Sequence, residues 1–238
     1  MKLFAKVAIL GLLSIFAAAG ELKIMTEEYA PFNYEENGKL TGFSTEIVEE
    51  MMKRMNVKSN IELLPWSRAY NLTMTKDGYA LFSMTRTEQR ESLFKWVGPL
   101  VPNKSVLWGL ADKEYDIKNL DDAKKYKIGA YKDDSDEQFL KESGFANIDS
   151  VVNDEQNLKK LIAGRIDLWI GGDPAVLMIA KKAGEGEKLK RVFTARETQM
   201  YLAFSKNTPQ DVVDKWQSTL DELKKDGFYD KISNKYFK

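Results

Sequence analysis

The stretch of this sequence best suited to chemistry is Ser83-Met84-Thr85-Arg86-Thr87-Glu88-Gln89-Arg90. It follows Ala80-Leu81-Phe82, an apolar run that reads as a strand, so its hydroxyls stand at a strand end. One turn on, the Arg90 guanidinium offers a planar fork of donors that matches a carboxylate through two parallel charge-assisted hydrogen bonds. Hydroxyls at Ser83 and Thr85, with free backbone N–H groups, would complete an anion site. The plainer alternative is Thr87 capping a short helix while the arginine pairs with a surface acid. Aromatics stand at two other strand ends, in Tyr29-Ala30-Pro31-Phe32 and Pro65-Trp66, where each offers an apolar wall or a face for a cation. Core packing is the ordinary fate of such rings; Trp66 is set apart because it ends a strand and precedes Ser67-Arg68. Asp133, Asp134 and Asp173 stand at helix starts, where capping is the ordinary role and holding a ligand ammonium or guanidinium the functional one.

These residues need a scaffold, and the pattern supplies one. Leu22 to Thr26 alternates as a strand, and Asn37-Gly38 marks a hairpin turn. Ser44 is placed to cap a helix with an apolar stripe of Ile47, Met51, Met52 and Met55. A strand at 61–64, a helix at 67–76 and the strand at 80–84 complete a β-α-β-α-β order that requires a parallel sheet with crossover helices. The second half repeats it: strands at 127–131, 148–152 and 166–170 alternate with helices at 134–143, 155–163 (capped by Asp154) and from Asp173-Pro174. Strands at 189–194 and 200–204 follow, then helices at 209–225 and 228–236. Ligands of open α/β sheets bind beyond the carboxyl ends of the strands. Those ends carry Glu27-Glu28-Tyr29, Trp66, Ser83-Met84-Thr85, Lys132-Asp133-Asp134 and Gly171-Gly172-Asp173.

Composition narrows the chemistry. The chain has 238 residues, no cysteine and no histidine. Disulfides, thiol catalysis and thiolate metal sites are excluded, as are a histidine general base and the commonest zinc ligands. Lys2 and Lys6, an apolar run from Val7 to Ala19 and small residues up to Gly20 read as an export signal over 1–20, cleaved near Ala19 or Gly20. The run is short for a membrane span, which needs about 20 residues. Without a cysteine there is no site for a lipid anchor, so a freely diffusing periplasmic protein is expected. The 36 basic residues balance 36 acidic ones, which gives no electrostatic reason to expect nucleic acid or anionic lipid as a partner.

Four stretches in order, Glu28 to Phe32, Gly38-Lys39-Leu40-Thr41-Gly42-Phe43, Ser83 to Arg90 and Gly164-Arg165-Ile166-Asp167, together with the ending Asp226 to Ile232 and Lys235-Tyr236-Phe237, carry a resemblance. The sequence resembles the periplasmic amino-acid-binding proteins of extracellular solute-binding protein family 3, including the histidine- and lysine/arginine/ornithine-binding proteins, as a divergent branch. The resemblance implies the two-lobed periplasmic binding protein fold (type II): two parallel-rich α/β sheets with flanking helices and ligand in the cleft. Lobe 1 is expected over 21–109 plus 200–238 and lobe 2 over 112–195, with hinge crossovers at 110–111 and 196–199. It implies a small amino-acid-like or carboxylate-bearing ligand and delivery to an inner-membrane ABC permease by a monomer that needs no cofactor and catalyses nothing. A cyclohexadienyl-dehydratase-like enzyme and a sensor without transport are the alternatives. Carried over residue by residue, Arg90 binds the ligand carboxylate, Ser83 and Thr85 assist, and Tyr29 stacks. Trp66, Met84, Arg68, Asp134, Ser135 and Asp173 are the remaining candidate ligand-binding residues. Two departures stand out: Gly172 occupies the place where the family puts an ammonium-binding acid, and Asp133-Asp134-Ser135 replaces a Gly-Thr-type turn.

Overall fold

The computed structural model describes residues 22–238; the expected export signal lies outside them. The chain opens with β1 (Lys23–Thr26), a hairpin of β2 (Tyr34–Glu36) and β3 (Lys39–Thr41), then α1 (Phe43–Arg54). Next come β4 (Ile61–Leu63), α2 (Trp66–Thr75), β5 (Tyr79–Thr85) and the single turn α3 (Glu88–Glu91). The apolar stripe of α1 buries Ile47, Val48, Met51 and Met52, as its 3.6-residue period requires. This helix starts at Phe43 with Gly42 as its N-cap, not at Ser44. Gly42 has φ +119, and a Cβ there would lie 2.4 Å from the Phe32 carbonyl oxygen, so the entry to the helix demands glycine.

A strand that the sequence pattern does not announce follows: β6 (Phe94–Leu110), 17 residues long. The second half then runs through β7 (Ile128–Tyr131), α4 (Ser135–Glu142), β8 (Ile148–Val151), α5 (Asp154–Ile162), β9 (Leu168–Gly172) and α6 (Asp173–Lys182). The two late strands expected at 189–194 and 200–204 are one, β10 (Leu189–Ser205), and α7 (Gln210–Lys225) and α8 (Phe228–Phe237) close the chain.

The main sheet has the order β4-β1-β5-β10-β6-β9-β7-β8. The groups β4-β1-β5 and β9-β7-β8 are parallel, as βαβ units must be, and β10 and β6 run antiparallel between them. The two expected sheets are thus joined into one by these long strands. Two sets of cores flank it. Ile24, Ile47, Phe82, Phe204, Trp216, Leu220 and Ile232 share one cluster, so α7 and α8 return to the first half; Trp66, Leu81 and Phe94 fill its other face. Val106, Leu161 and Trp169, and on the other face Ile128, Leu140 and Ile170, fill the second half.

The join itself is narrow. β10 pairs with β5 from Met200 to Phe204, and β6 pairs with β9 from Ser105 to Trp108. Between these limits the two strands pair with each other, Gln199 opposite Pro102, Thr198 opposite Asn103 and Glu197 opposite Lys104, with register shifts at Thr194/Arg196 and Met200/Leu202 on either side. Bulges of this kind raise local twist and bend. Leu110, expected at a first crossing, pairs with Leu189, and Ser105 to Trp108 already pair with β9, while residues 102–104 pair only with β10.

Candidate functional site

The carboxyl ends of the strands of both halves meet at this ribbon. At one edge the halves are fastened through Asp133, a non-glycine residue at φ +62 in the turn before α4. Its carbonyl accepts from Trp66 Nε1 at 2.9 Å and from Arg90 Nη2 at 3.4 Å, and its carboxylate accepts from Ser67 Oγ at 3.0 Å. Arg90 also donates through Nη1 to the Thr85 carbonyl at 3.3 Å and through Nε to Gln138 Oε1 at 3.2 Å. Its guanidinium lies 5.2 Å from the Trp66 ring and 4.9 Å from the Tyr70 ring, and the residue is 1 % exposed. Burial pulls its pKa below the ordinary arginine value while the Asp134 field opposes the shift; a group that starts above 12 stays charged. This latch spends the arginine's fork on protein acceptors.

Beside the latch is a cavity of about 20 Å³, room for on the order of one water. The first half contributes Glu27, Tyr29, Ser83 and Thr85, the ribbon Asn103, Ser105 and Met200, and the second half Tyr131, Asp134, Ser135, Asp136, Asp154 and the Gly171-Gly172 backbone. Four of these are acids. Asp136 is answered: Arg196 donates to it at 2.7 Å and to Ser135 Oγ at 3.1 Å, and Ser105 donates to it at 2.5 Å. The other three face no cation of comparable closeness. Asp154 Oδ1 accepts from Asn157 Nδ2 at 2.9 Å and Trp169 Nε1 at 3.2 Å, yet burial, aided by the fields of Asp134 and Asp136, pushes its pKa up to about 7. Asp134 is raised by burial and then by Asp136, with Arg90 opposing. Glu27, 7 % exposed, is raised well above the carboxylate range by burial and then by Asp134, with a hydrogen bond from Tyr131 opposing, and its Oε2 has no partner. Ser83 Oγ and Asn103 Oδ1 are likewise buried without partners, Ser83 from a left-handed φ of +63. Such strain and unmet polar capacity are costly in a folded chain and single this cavity out as the candidate site.

Of the candidates read from the sequence, Tyr29, Ser83, Thr85, Asp134 and Ser135 line the cavity. Arg90 and Trp66 belong to the latch at its edge. Met84 packs in the core beside Trp66 and Leu81 rather than with Ala80 and Phe82, because the bulge at Ser83, with its left-handed φ of +63, reverses the alternation of the strand. Arg68 is exposed on α2. Asp173 pairs with Arg191 at 2.6 Å on the outside. The expected cap of α5 is also corrected: Asn153 accepts from the Glu155 N–H at 2.7 Å, which leaves the Asp154 carboxyl to the cavity. At Gly172 a Cβ would stand 2.0 Å from the Tyr29 hydroxyl oxygen, so the tyrosine fills the space that a side chain there would need. Glu27, Asn103, Tyr131, Asp136, Asp154 and Arg196 join the site without being singled out by residue type and spacing. Only the position of Glu27 at a strand end signalled it; the others are gathered by the ribbon and by the helix starts. Among the described residues, no group of three or more acids is placed to hold a metal ion, and no helix is long and apolar enough to cross a membrane.

The sequence profile of the bacterial extracellular solute-binding proteins, family 3, matches residues 22–238. The probable amino-acid-binding protein YxeM of Bacillus subtilis (strain 168) is 27% identical over 254 residues, covering 100% of this chain and 96% of its own. The L-cystine-binding protein TcyA of the same organism is 29% identical, covering 92% and 81%. Among solved structures, an ancestral arginine-binding protein bound to arginine superimposes with a TM-score of 0.79 at 25% identity, covering 91% of this chain and 98% of that one.

Proposed function

Since the chain belongs to the bacterial extracellular solute-binding proteins of family 3, we propose that it is a periplasmic binding protein. It closes two lobes on a small polar ligand of amino-acid size and presents the closed form to an inner-membrane ABC permease. One lobe comprises residues 22–101 with 200–238, the other 105–195, and the ribbon of 102–104 with 197–199 is the hinge. The observation that carries this reading is the polar cavity walled from both lobes, with buried groups of the first lobe and the ribbon, Glu27 Oε2, Ser83 Oγ and Asn103 Oδ1, that lack partners. A ligand that supplies those partners binds the closed form better than the open one and shifts the equilibrium toward it. Glu27, Tyr29, Ser83, Thr85, Asp134 and Ser135 contact the ligand. Trp66 and Arg90 fasten the lobes through Asp133, a role that replaces Arg90 as anchor of a ligand carboxylate.

A thermal-shift screen of amino acids, amines and small carboxylates tests the reading. A true ligand at 100 times its Kd adds about 2.7 kcal/mol, equivalent to a rise of roughly 5–10 °C for a chain of this size. Stabilisation by no compound would remove the solute-binding reading, and turnover of prephenate or arogenate would replace it with an enzymatic one.

A further inference from the structure

The charge around the cavity is one-sided. Glu27, Asp134, Asp136 and Asp154 line it, and no lysine or arginine does. The two nearby guanidiniums are committed: Arg196 to Asp136, Arg90 to the Thr85 and Asp133 carbonyls and Gln138. Glu27, Asp134 and Asp154 are left without a salt bridge, although Tyr131 hydrogen-bonds Glu27 and Asn157 and Trp169 donate to Asp154. The independent sign of a ligand is Glu27 Oε2, buried and without a partner in the cavity wall, together with the unpartnered Asn103 Oδ1 and Ser83 Oγ. Carboxyl and amide oxygens of this kind accept hydrogen bonds and need donors.

The place where a ligand carboxylate would gain most is already held. The first turn of α4 carries Asp136 and Glu137 after Asp134 at the N-cap. Helix N-termini favour negative charge, and here the protein supplies it. A ligand carboxylate at that end would face Asp134 and Asp136.

We infer that the cleft selects a small organic amine with two or more ammonium or guanidinium groups and no carboxylate, one cation answered by Glu27 and another by Asp134 and Asp154. The inference rests on the solute-binding reading and sharpens it. It separates this protein from relatives named for amino acids, because the decarboxylated counterpart of a basic amino acid becomes the better ligand.

Matched pairs test it on the full mature chain at pH 8: 1,5-diaminopentane against lysine, and agmatine against arginine, each by calorimetry and thermal shift. The expected result is that at least one amine binds about tenfold or more tightly than its amino acid. Glu27→Gln should weaken that amine by about thirty-fold or more while its own melting temperature does not fall. Tighter binding of lysine or arginine, or of a neutral or acidic amino acid, would overturn the inference and leave the solute-binding reading standing. A shift with calcium or magnesium alone, or Glu27→Gln binding the amine within two-fold of wild type, would also overturn it. No binding by any compound in the wider screen would remove both.

Discussion

The latch and the cavity lie side by side at the mouth of the same cleft, and they treat polar groups in opposite ways. In the latch the donors find acceptors: Trp66, Ser67 and Arg90 converge on Asp133, and Arg90 is also held by Thr85, Gln138 and two aromatic rings. In the cavity, Glu27 Oε2, Ser83 Oγ and Asn103 Oδ1 are buried without partners. A satisfied network rigidifies, whereas an unsatisfied one costs stability. The difference separates the residues that bring the lobes together from those that wait for what the lobes enclose. It also places Arg90, on our reading, in the latch rather than at a ligand carboxylate.

Substitutions on the two sides should therefore differ in sign as well as size. The largest loss is expected for Trp66→Ala. Trp66 is 2 % exposed, packs on Leu81 and Phe94 and donates to Asp133, so the cavity left behind should cost about 3–5 kcal/mol in urea unfolding. A loss under about 1 kcal/mol would show that the latch carries little of the fold's stability. Arg90→Met comes next. It keeps apolar volume between Trp66 and Tyr70 but leaves buried acceptors unmet, and should lower stability by about 1–3 kcal/mol with ligand affinity altered only through closure. A carboxylate ligand that loses more than about a hundredfold in affinity in this variant would return Arg90 to the binding site.

Asp154→Asn should go the other way. Both donors to Asp154 meet the same oxygen, Oδ1, which an asparagine carbonyl reproduces. Its pKa is pushed up to about 7 in the folded chain from near 3.9 when unfolded. A raised carboxyl pKa means that the native state holds the proton more tightly, so the stabilising protonation is fully present below about pH 4 and is lost as pH rises through 7. The variant should therefore melt higher than wild type at pH 8, by on the order of 1–2 kcal/mol, and match it near pH 4. An equal effect at both pH values would mean that ionisation of Asp154 is not the cause. The smallest effect is expected for Ser67→Ala. It removes one partly buried hydrogen bond to Asp133, should cost about 0.5–1.5 kcal/mol and should widen the population of open lobes seen by small-angle scattering.

The fold was readable where one element repeats a period. The α1 stripe, the amphipathic α7 and the βαβ order in each half follow from spacing alone. The crossing strands were not, because β6 includes Gly98, Pro99 and Pro102, residues that interrupt a strand pattern, and because its two ends answer to different cores, Val97 and Leu100 to one and Val106 to another. The site was half readable for a related reason. Ser83, Thr85, Tyr29 and Asp134 sit at strand ends and helix starts, where the α/β rule points. Asp154 was concealed by Asn153, an equally good cap one residue earlier.

By itself the sequence determined the class of architecture, the absence of thiol and imidazole chemistry and the strand ends that gather at the candidate site, since these depend on composition and on local periodicity. Only the tertiary structure decided which acids share a cavity without a salt bridge, which acceptors Arg90 and Arg196 meet and how β6 and β10 join the two halves of the sheet. Those are properties of groups from distant segments that share one low-dielectric space, and neither spacing nor residue type encodes the distance between them.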